Sequence, residues 1–359
     1  MTTPALGPRL ATRGVDDRSL GFLVAGASTV AARWMLTAIR QQSPVPGSRD
    51  VAGAWVAAVY SHNERRARQF AQTHGIIHAG DDLQTLLRRP EIQCVYVGNH
   101  PRHHAEAVRA GLEAHKHVLC EPPLALTFDE AETLHQMAEH RGLVLALDYT
   151  WRAAGVIHHL HDHLLADAIG ELLGGRIQNT AYLPPEQHTW RLQANGGGVL
   201  WDRTLHDLDL IQFLFHTPVR EVYARSTRNL LAAVVEDDIV AYAGVTGGLV
   251  VQLHDSFVLP HAPVTVEIFG ANGTLTALNC APVAGQAELL LTRGEQTTLI
   301  ASPIVDPFRA TVARFLAAVR GLAPPLATSA DDLRNLAAIA ALRTALVQGQ
   351  MTKVDRLLL

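Results

Sequence analysis

Charge is scarce in this chain. Only 18% of its 359 residues are Asp, Glu, Lys or Arg, and the formal net charge is −4. With no basic block, the phosphate-neutralising footprint of a nucleic-acid binder is missing. Cysteine is scarcer: Cys94, Cys120 and Cys280 lie far apart and form no metal-ligand spacing. Cys94 and Cys120 sit in apolar, strand-like runs, so buried free thiols are expected, which suits a reducing cytosol and a cytoplasmic location. No apolar run approaches the roughly 20 residues of a membrane helix, so no membrane partner is expected. Residues 1–18 are polar and carry Pro and Gly, without the apolar segment of a signal peptide. No internal repeat is visible.

Apolar residues are plentiful at 48%, enough for a sizeable core, and the length favours two domains. Histidine, at 19, is also abundant. The densest cluster is HHLHDH, His158 to His163, in which His159 and His163 stand i, i+4 on a helix. No Cys or Glu of matching spacing completes a ligand set, so a solvated helix face is expected rather than a metal site.

Along residues 19–149, apolar strands alternate with amphipathic helices. LGFLVAG is followed by AARWMLTAIRQQ, the Pro/Gly/Ser loop SPVPGSRD, AWVAAVY, and a helix that ends on Gly75. The alternation continues through IQCVYVG, HVLCE and LVLALDY. Strict βα alternation implies a parallel sheet with right-handed crossovers. Over residues 150–359 the pattern changes to longer alternating strands, with Gly247-Gly248 and Asn272-Gly273 as hairpin signals, and two helices near 306–320 and 330–348. The fold class is therefore α/β. An N-terminal Rossmann domain (19–149) follows a polar tail (1–18) and precedes a C-terminal domain (150–359) with an open, largely antiparallel sheet.

The first strand ends in GASTVA. Read as a dinucleotide fingerprint, Gly26 makes the tight turn, Ser28 replaces the second glycine, and Ala31 is the helix-packing position. Ser28, Thr29 and Val30 would set a pyrophosphate on the helix N-terminus, where free N–H groups favour an anion. The second strand ends in Tyr60-Ser61-His62-Asn63 with Arg65 and Arg66 beyond, and no acid is there to take a ribose 2′-hydroxyl. Ser61, His62 and Arg65 could instead meet a 2′-phosphate, so NADP is favoured over NAD.

Four further stretches carry a resemblance. VYVGNHPRHHAEAVRAGLEAHKHVLCEPPLAL is similar to a strand–loop–helix–strand that ends in Glu-Lys-Pro, and ALDYTWR to a Gly-Tyr-Asn-x-Arg turn. WRLQANGGGVLWDRTLHDLDL resembles a Gly-Gly-Gly-x-Leu-x-Asp-x-x-x-His-x-x-Asp segment, and VEIFGANGTL a strand–turn signature. In this order and spacing they resemble the glucose-fructose oxidoreductase / inositol dehydrogenase (Gfo/Idh/MocA) family from about residue 19 to 350. The resemblance implies NAD(P)-dependent oxidation or reduction of a hydroxyl or carbonyl on a sugar, cyclitol or similar small molecule. It also implies a homodimer or homotetramer formed through the C-terminal sheet. Residue by residue, it makes His206 the catalytic acid–base and Asp202 its catalytic neighbour, for which the near-neutral pKa of histidine is suited. Asn99, His100, His104, Glu121 and Pro122 fall on the cofactor loops, and Tyr149, Trp151 and Arg152 on a substrate-facing turn.

The departures cluster at the expected reaction centre. Pro122 stands where the family has lysine, Asn99-His100 where it has Thr-Pro, and Trp151 is unusual in the turn. Proline supplies neither charge nor donor. Three outcomes stay open: an oxidoreductase with a remodelled site, a redox-assisted glycosidase included; a nucleotide-holding regulator; or a scaffold whose pocket has lapsed. Within the first, His100, Arg102 or Arg152 could take over part of the lysine's role.

Overall fold

Helices cover both faces of the first sheet, so its strands read as continuous apolar runs and not as alternation. The computed structural model describes residues 19–42, 53–226, 230–231, 234–282 and 287–355. The tail 1–18 and the SPVPGSRD loop at 43–50 lie outside the described residues. Six parallel strands, β1 (Leu20–Ala25), β2 (Ala54–Tyr60), β3 (His78–Gly80), β4 (Cys94–Val97), β5 (His117–Cys120) and β6 (Leu145–Leu147), assemble in the order β3-β2-β1-β4-β5-β6. All six residues of β1 are buried. The intervening helices are α1 (Leu36–Arg40, preceded by a π turn at Ala31–Met35), α2 (Glu64–His74), α3 (Leu83–Leu87), α4 (His104–Glu113) and α5 (Phe128–Arg141). The strand order reverses between β1 and β4, and α/β folds bind ligands outside the strand ends at such a switch point.

After α6 (Gly155–Leu165) the second sheet begins with β7 (Leu172–Thr180). Then come α7 (Leu205–Phe215), β8 (Val219–Ser226), β9 (Asp238–Val245), β10 (Val250–Ser256), β11 (Thr265–Gly270), β12 (Gly273–Leu278), β13 (Glu288–Arg293) and β14 (Gln296–Ile300). With β15 (Thr352–Lys353), the nine strands are ordered β14-β13-β12-β11-β7-β10-β9-β8-β15, and only β7–β10 is parallel. One face packs on helices, and β10 shows the matching period-two pattern: Val251 and Leu253 are buried, while Val250 and Gln252 are exposed. The other face is open and carries Tyr223 and Tyr242, ring centroids 6.4 Å apart.

Two features differ from the sequence expectation. The β11–β12 turn centres on Ala271-Asn272, one residue before Asn272-Gly273, because Gly270 pairs with Gly273. Gly273 is already in the ladder, where a Cβ would meet the Thr292 carbonyl at 2.7 Å. The second difference is α8 (Pro307–Val319), which returns to the first sheet. Phe308 stacks on Trp34 at 5.4 Å, and Phe315 lies 6.0 Å from Phe22. This helix, from the C-terminal half of the chain, thus packs on the layer of the first sheet. The last helix, α9 (Ser329–Gln348), lies along β8, and the residues before it bridge the edge of β6 through Ala146 and Thr328.

Gly26 closes the switch point. Its φ is 128°, and a Cβ there would meet the Asn99 nitrogen at 2.6 Å. Gly26→Ala should lower unfolding stability by about 1–3 kcal/mol, the usual cost of a forced backbone conformation, and should weaken binding of any dinucleotide at this turn. Denaturant melts and titration of bound dinucleotide fluorescence check both effects.

Candidate active site

The turn after β1 leads into a side-chain-capped helix start. The Ser28 hydroxyl accepts from the Ala31 N–H at 3.2 Å, so the residue in place of the second glycine serves as a helix cap. Thr29 is exposed at the helix start and Val30 is half-buried. Arg66, not Arg65, reaches this turn: its Nε and Nη2 donate to the Ala27 carbonyl at 3.0 and 2.7 Å. Arg65 is exposed on the outer face of α2 beside Glu64, Arg68, Gln69 and Gln72. Helical spacing explains the correction, because residues 65 and 66 point about 100° apart. Ser61 is half-buried at the end of β2. His62 is tied through Nδ1 to the Tyr60 hydroxyl at 2.8 Å, and its ring lies 4.5 Å from that of His103.

The loops after β4 and β5 are held together by His104. Its Nδ1 lies 2.7 Å from the Pro123 carbonyl and its Nε2 lies 3.1 Å from the Asn99 carbonyl, and the ring is 1% exposed. His104 is thus an internal brace; the expected cofactor contact is not made by its ring, because both nitrogens face the chain's own carbonyls. Pro122-Pro123 is cis and buried. Glu121 turns inward: the Tyr96 hydroxyl donates to its Oε1 at 2.6 Å. Burial pushes the Glu121 carboxyl up to about 7. Burial, together with the neighbouring Glu121, pushes Asp148 well above the carboxylate range. Glu121, expected on a cofactor loop, thus points its carboxyl inward to Tyr96 under the ends of β5 and β6.

Next to these loops lies the glycine-rich segment. The close approach implied by GGG is to the chain itself. A Cβ at Gly197 would meet the carbonyls of Trp190 at 2.3 Å and Gln193 at 2.4 Å, and the Gly198 N–H donates to the Arg191 carbonyl at 2.7 Å. The glycines therefore hold up the 190–193 loop, which presents Trp190 and Arg191. The Trp190 ring tilts against His100 at 5.4 Å, and the Arg191 guanidinium stacks on Trp190 at 4.7 Å. The Arg191 Nε donates to both Asp202 oxygens, at 3.0 and 3.1 Å. Asp202 lies in a π turn, Leu200–Thr204, that runs directly into α7. Wide turns of this kind recur at functional sites.

His206 follows in the first turn of α7, with its ring 5.5 Å from that of Tyr149. Burial lowers its pKa, and the charge of Asp202 opposes this without reversing it. Its Nδ1 is buried without a partner among the described residues, as are Asn99 Oδ1 and His100 Nε2. Contacts thus run unbroken from Pro123 through His104, Asn99, His100, Trp190 and Arg191 to Asp202, one turn before His206. Trp190, Arg191, Arg66 and His103 were missed as site residues. The only sequence signal for the first two was their position just before GGG.

The turn into the second domain is a frame. Arg152 donates to Asp209 through Nε at 2.8 Å and Nη2 at 2.6 Å, and to the Leu326 carbonyl at 2.9 Å. The Tyr149 hydroxyl donates to Asp332 at 2.5 Å, and Trp151 is buried. Tyr149 and Arg152 were expected to touch substrate, but their polar atoms are committed to α7 and α9. Among the described residues, no group of three or more His, Cys, Asp or Glu is placed to hold a metal. In the histidine-rich helix, His161 pairs with His216 at 2.8 Å and His163 with the His159 carbonyl.

Comparisons with known proteins bear on this arrangement. Residues 20–149 match the oxidoreductase family with an NAD-binding Rossmann fold, and residues 157–276 match the Gfo/Idh/MocA C-terminal domain. The chain belongs to the Gfo/Idh/MocA family. It is 29% identical over 333 residues to 1,5-anhydro-D-fructose reductase of Ensifer adhaerens, covering 92% of this chain and 97% of that one. A 3-ketoreductase from Actinomadura kijaniata, solved with NADP and TDP-benzene, is 25% identical with a TM-score of 0.79, covering 92% and 98%. Aldose-aldose oxidoreductase of Caulobacter crescentus, 18% identical with a TM-score of 0.84 over 94% and 100%, shares the fold. This Gfo/Idh/MocA chain is thus an NAD(P)-dependent oxidoreductase by family. Among the described residues no helix is long and apolar enough to cross a membrane.

The raised carboxyls set a pH dependence. Glu121 and Asp332 are both pushed up to about 7 by burial. The folded chain therefore binds more protons than the unfolded one between the ordinary carboxylate range, about 4, and about 7. Their contribution is present below that window and is lost as pH rises through it. Stability should fall from pH 5 to 8, and Glu121→Gln should flatten that slope in urea melts at a series of pH values.

Proposed function

We propose that this chain oxidises or reduces a hydroxyl or carbonyl of a sugar, cyclitol or similar small molecule with NADP or NAD. In this assignment Pro122 occupies the position of the family lysine. The observation that carries the proposal is a set of orphaned buried polar atoms: Asn99 Oδ1 and His100 Nε2 on the run of contacts beside the switch point, and His206 Nδ1 one helical turn beyond the end of that run at Asp202. Buried polar groups are normally satisfied, so a ligand with polar groups of its own is the natural partner. The residues fit a dinucleotide: Gly26, at φ 128°, lets the turn after β1 pass close against the Asn99 backbone, and Ser28 caps the helix that would face the pyrophosphate. NADP is favoured because Ser61, His62 and Arg66 replace an acid at the end of β2. The NADP in the Actinomadura relative supports the same choice.

When bound, reduced nicotinamide supplies a hydride to the carbonyl carbon, and the oxidised form accepts one from the carbinol. The chain's own part is proton traffic and positioning. His206, neutral at pH 7 because burial lowers its pKa, takes the hydroxyl proton in oxidation and returns it in reduction. Asp202, fixed by Arg191, supports the cationic form of His206 through its field. Trp190 offers a flat apolar wall suited to the C–H face of a sugar ring. The open sheet face with Tyr223 and Tyr242 is the surface on which two copies would pair. The absence of an ammonium at Pro122 favours a second outcome, a subunit that holds nucleotide without turnover.

The test is NAD(P)H consumption over ketoses, inososes and 3-keto sugars, and NAD(P)+ reduction with the matching alcohols, run beside Pro122→Lys. Turnover by the native chain, lowered about 10²–10⁴-fold in His206→Ala, is expected. Oxidation should stay level at neutral pH and decline only below the ordinary histidine pKa of about 6.5, while reduction should rise there. Turnover by Pro122→Lys alone would establish the nucleotide-holding outcome.

A further inference from the structure

His100 has an unusual combination of contacts. Its Nδ1 accepts the backbone N–H of Arg102 at 3.2 Å. A neutral imidazole carries one proton, so with Nδ1 accepting, the proton sits on Nε2. That Nε2 is buried and has no partner among the described residues. The ring is wedged between Trp190 at 5.4 Å and His103 at 6.1 Å. The loop that carries it is fixed from below by His104, which faces the Asn99 and Pro123 carbonyls. His100 therefore presents a buried Nε2 donor that meets no group among the described residues. The groups that face it are Arg102, His103 and His104, all basic, and burial with Arg102 pushes its pKa down to about 4. It stays uncharged through the neutral range.

Several other donors near this loop are engaged, Arg102 Nε among them, which donates to His103 Nε2 at 2.9 Å, while Arg203 Nε, like His100 Nε2, is buried without a partner among the described residues. Arg152 is held by Asp209, Tyr149 by Asp332, and the Arg191 Nε by Asp202. Pro122 has no N–H.

We propose that His100 is the catalytic hydrogen-bond donor to the substrate's reacting oxygen, doing as a neutral imidazole what an ammonium would do from position 122. This rests on the oxidoreductase reading above. The two histidines divide the work. In reduction, as the carbonyl carbon gains the hydride, the C=O π pair moves to the oxygen. The oxygen takes a proton from protonated His206, and His100 keeps its own proton throughout. A donor that never ionises polarises the oxygen without a charge, and its buried position makes the bond effective.

Two measurements test this. The first uses protein labelled with ¹⁵N-histidine and saturated with NADP, with the His100 signals assigned by their loss in His100→Gln. Nε2 should be protonated and Nδ1 bare from pH 5.5 to 8, and added 1,5-anhydro-D-fructose should shift Nε2. The second compares kcat, KM and NADPH affinity. His100→Phe should lower kcat about 10²–10³-fold with NADPH affinity unchanged, His100→Gln should stay within about tenfold of wild type, and Pro122→Lys added to His100→Phe should restore the rate. A His100 that titrates within the window, carries its proton on Nδ1, or can become Phe at full kcat overturns the assignment and leaves the oxidoreductase reading intact. A native chain that binds NADPH but reduces no carbonyl overturns both.

Discussion

The ion pair between Arg152 and Asp209 fixes the geometry of everything around it. It is buried, and each charge would be costly alone: removing one partner of such a pair typically costs about 3–5 kcal/mol. The pair joins the turn that leaves the first sheet to α7, which carries His206 in its first turn and follows directly on the π turn that holds Asp202. Asn335 of α9 donates to the same Asp209 at 3.0 Å, and Asp331 lies 3.4 Å from Arg152. The Tyr149–Asp332 bond runs alongside, and the Leu124 N–H donates to that same Asp332 at 2.9 Å. The segment after β5, the interdomain turn, α7 and α9 are therefore locked as one unit. Position along α7 sets the His206 ring beside Tyr149, 5.5 Å away.

A low-dielectric interior underlies the rest. Besides Glu121 with Asp148, a second carboxyl pair, Asp207 with Asp255, is buried beneath α7, with Asn179 donating to Asp207 at 2.9 Å. Such pairs hold a proton because neither member can ionise cheaply beside the other. The same burial keeps His206 and His100 neutral. A neutral base and a neutral donor suit a reaction whose charge appears only briefly on the substrate oxygen.

Much of this was legible in the sequence. The βα alternation led to the parallel sheet, and Gly75 ends α2 in the left-handed conformation its position implied. The GGG segment marked the route to Asp202 and His206. What was hidden depends on partners distant in the chain. Nothing local shows that Arg152 meets Asp209 57 residues on, or that Tyr149 meets Asp332 183 residues on. Both therefore looked like substrate contacts. His104 looked like a cofactor ligand because a motif records a histidine but not the carbonyls it braces. The return of α8 to the first sheet follows from its Phe308 and Phe315, whose pattern says only that they are buried, not against which layer.

In the proposed reaction, the site between the loops after β4 and β5 and the start of α7 moves hydride between a nicotinamide and a carbon–oxygen centre. The most direct measurement is label transfer: the protein, NADPH deuterated at C4 and a 1,5-anhydroketose, with the product analysed by mass spectrometry. Deuterium on the new carbinol carbon, with NADP+ formed in equal amount, is the predicted result. Bound NADPH that keeps its label in the presence of every carbonyl compound offered would contradict the account.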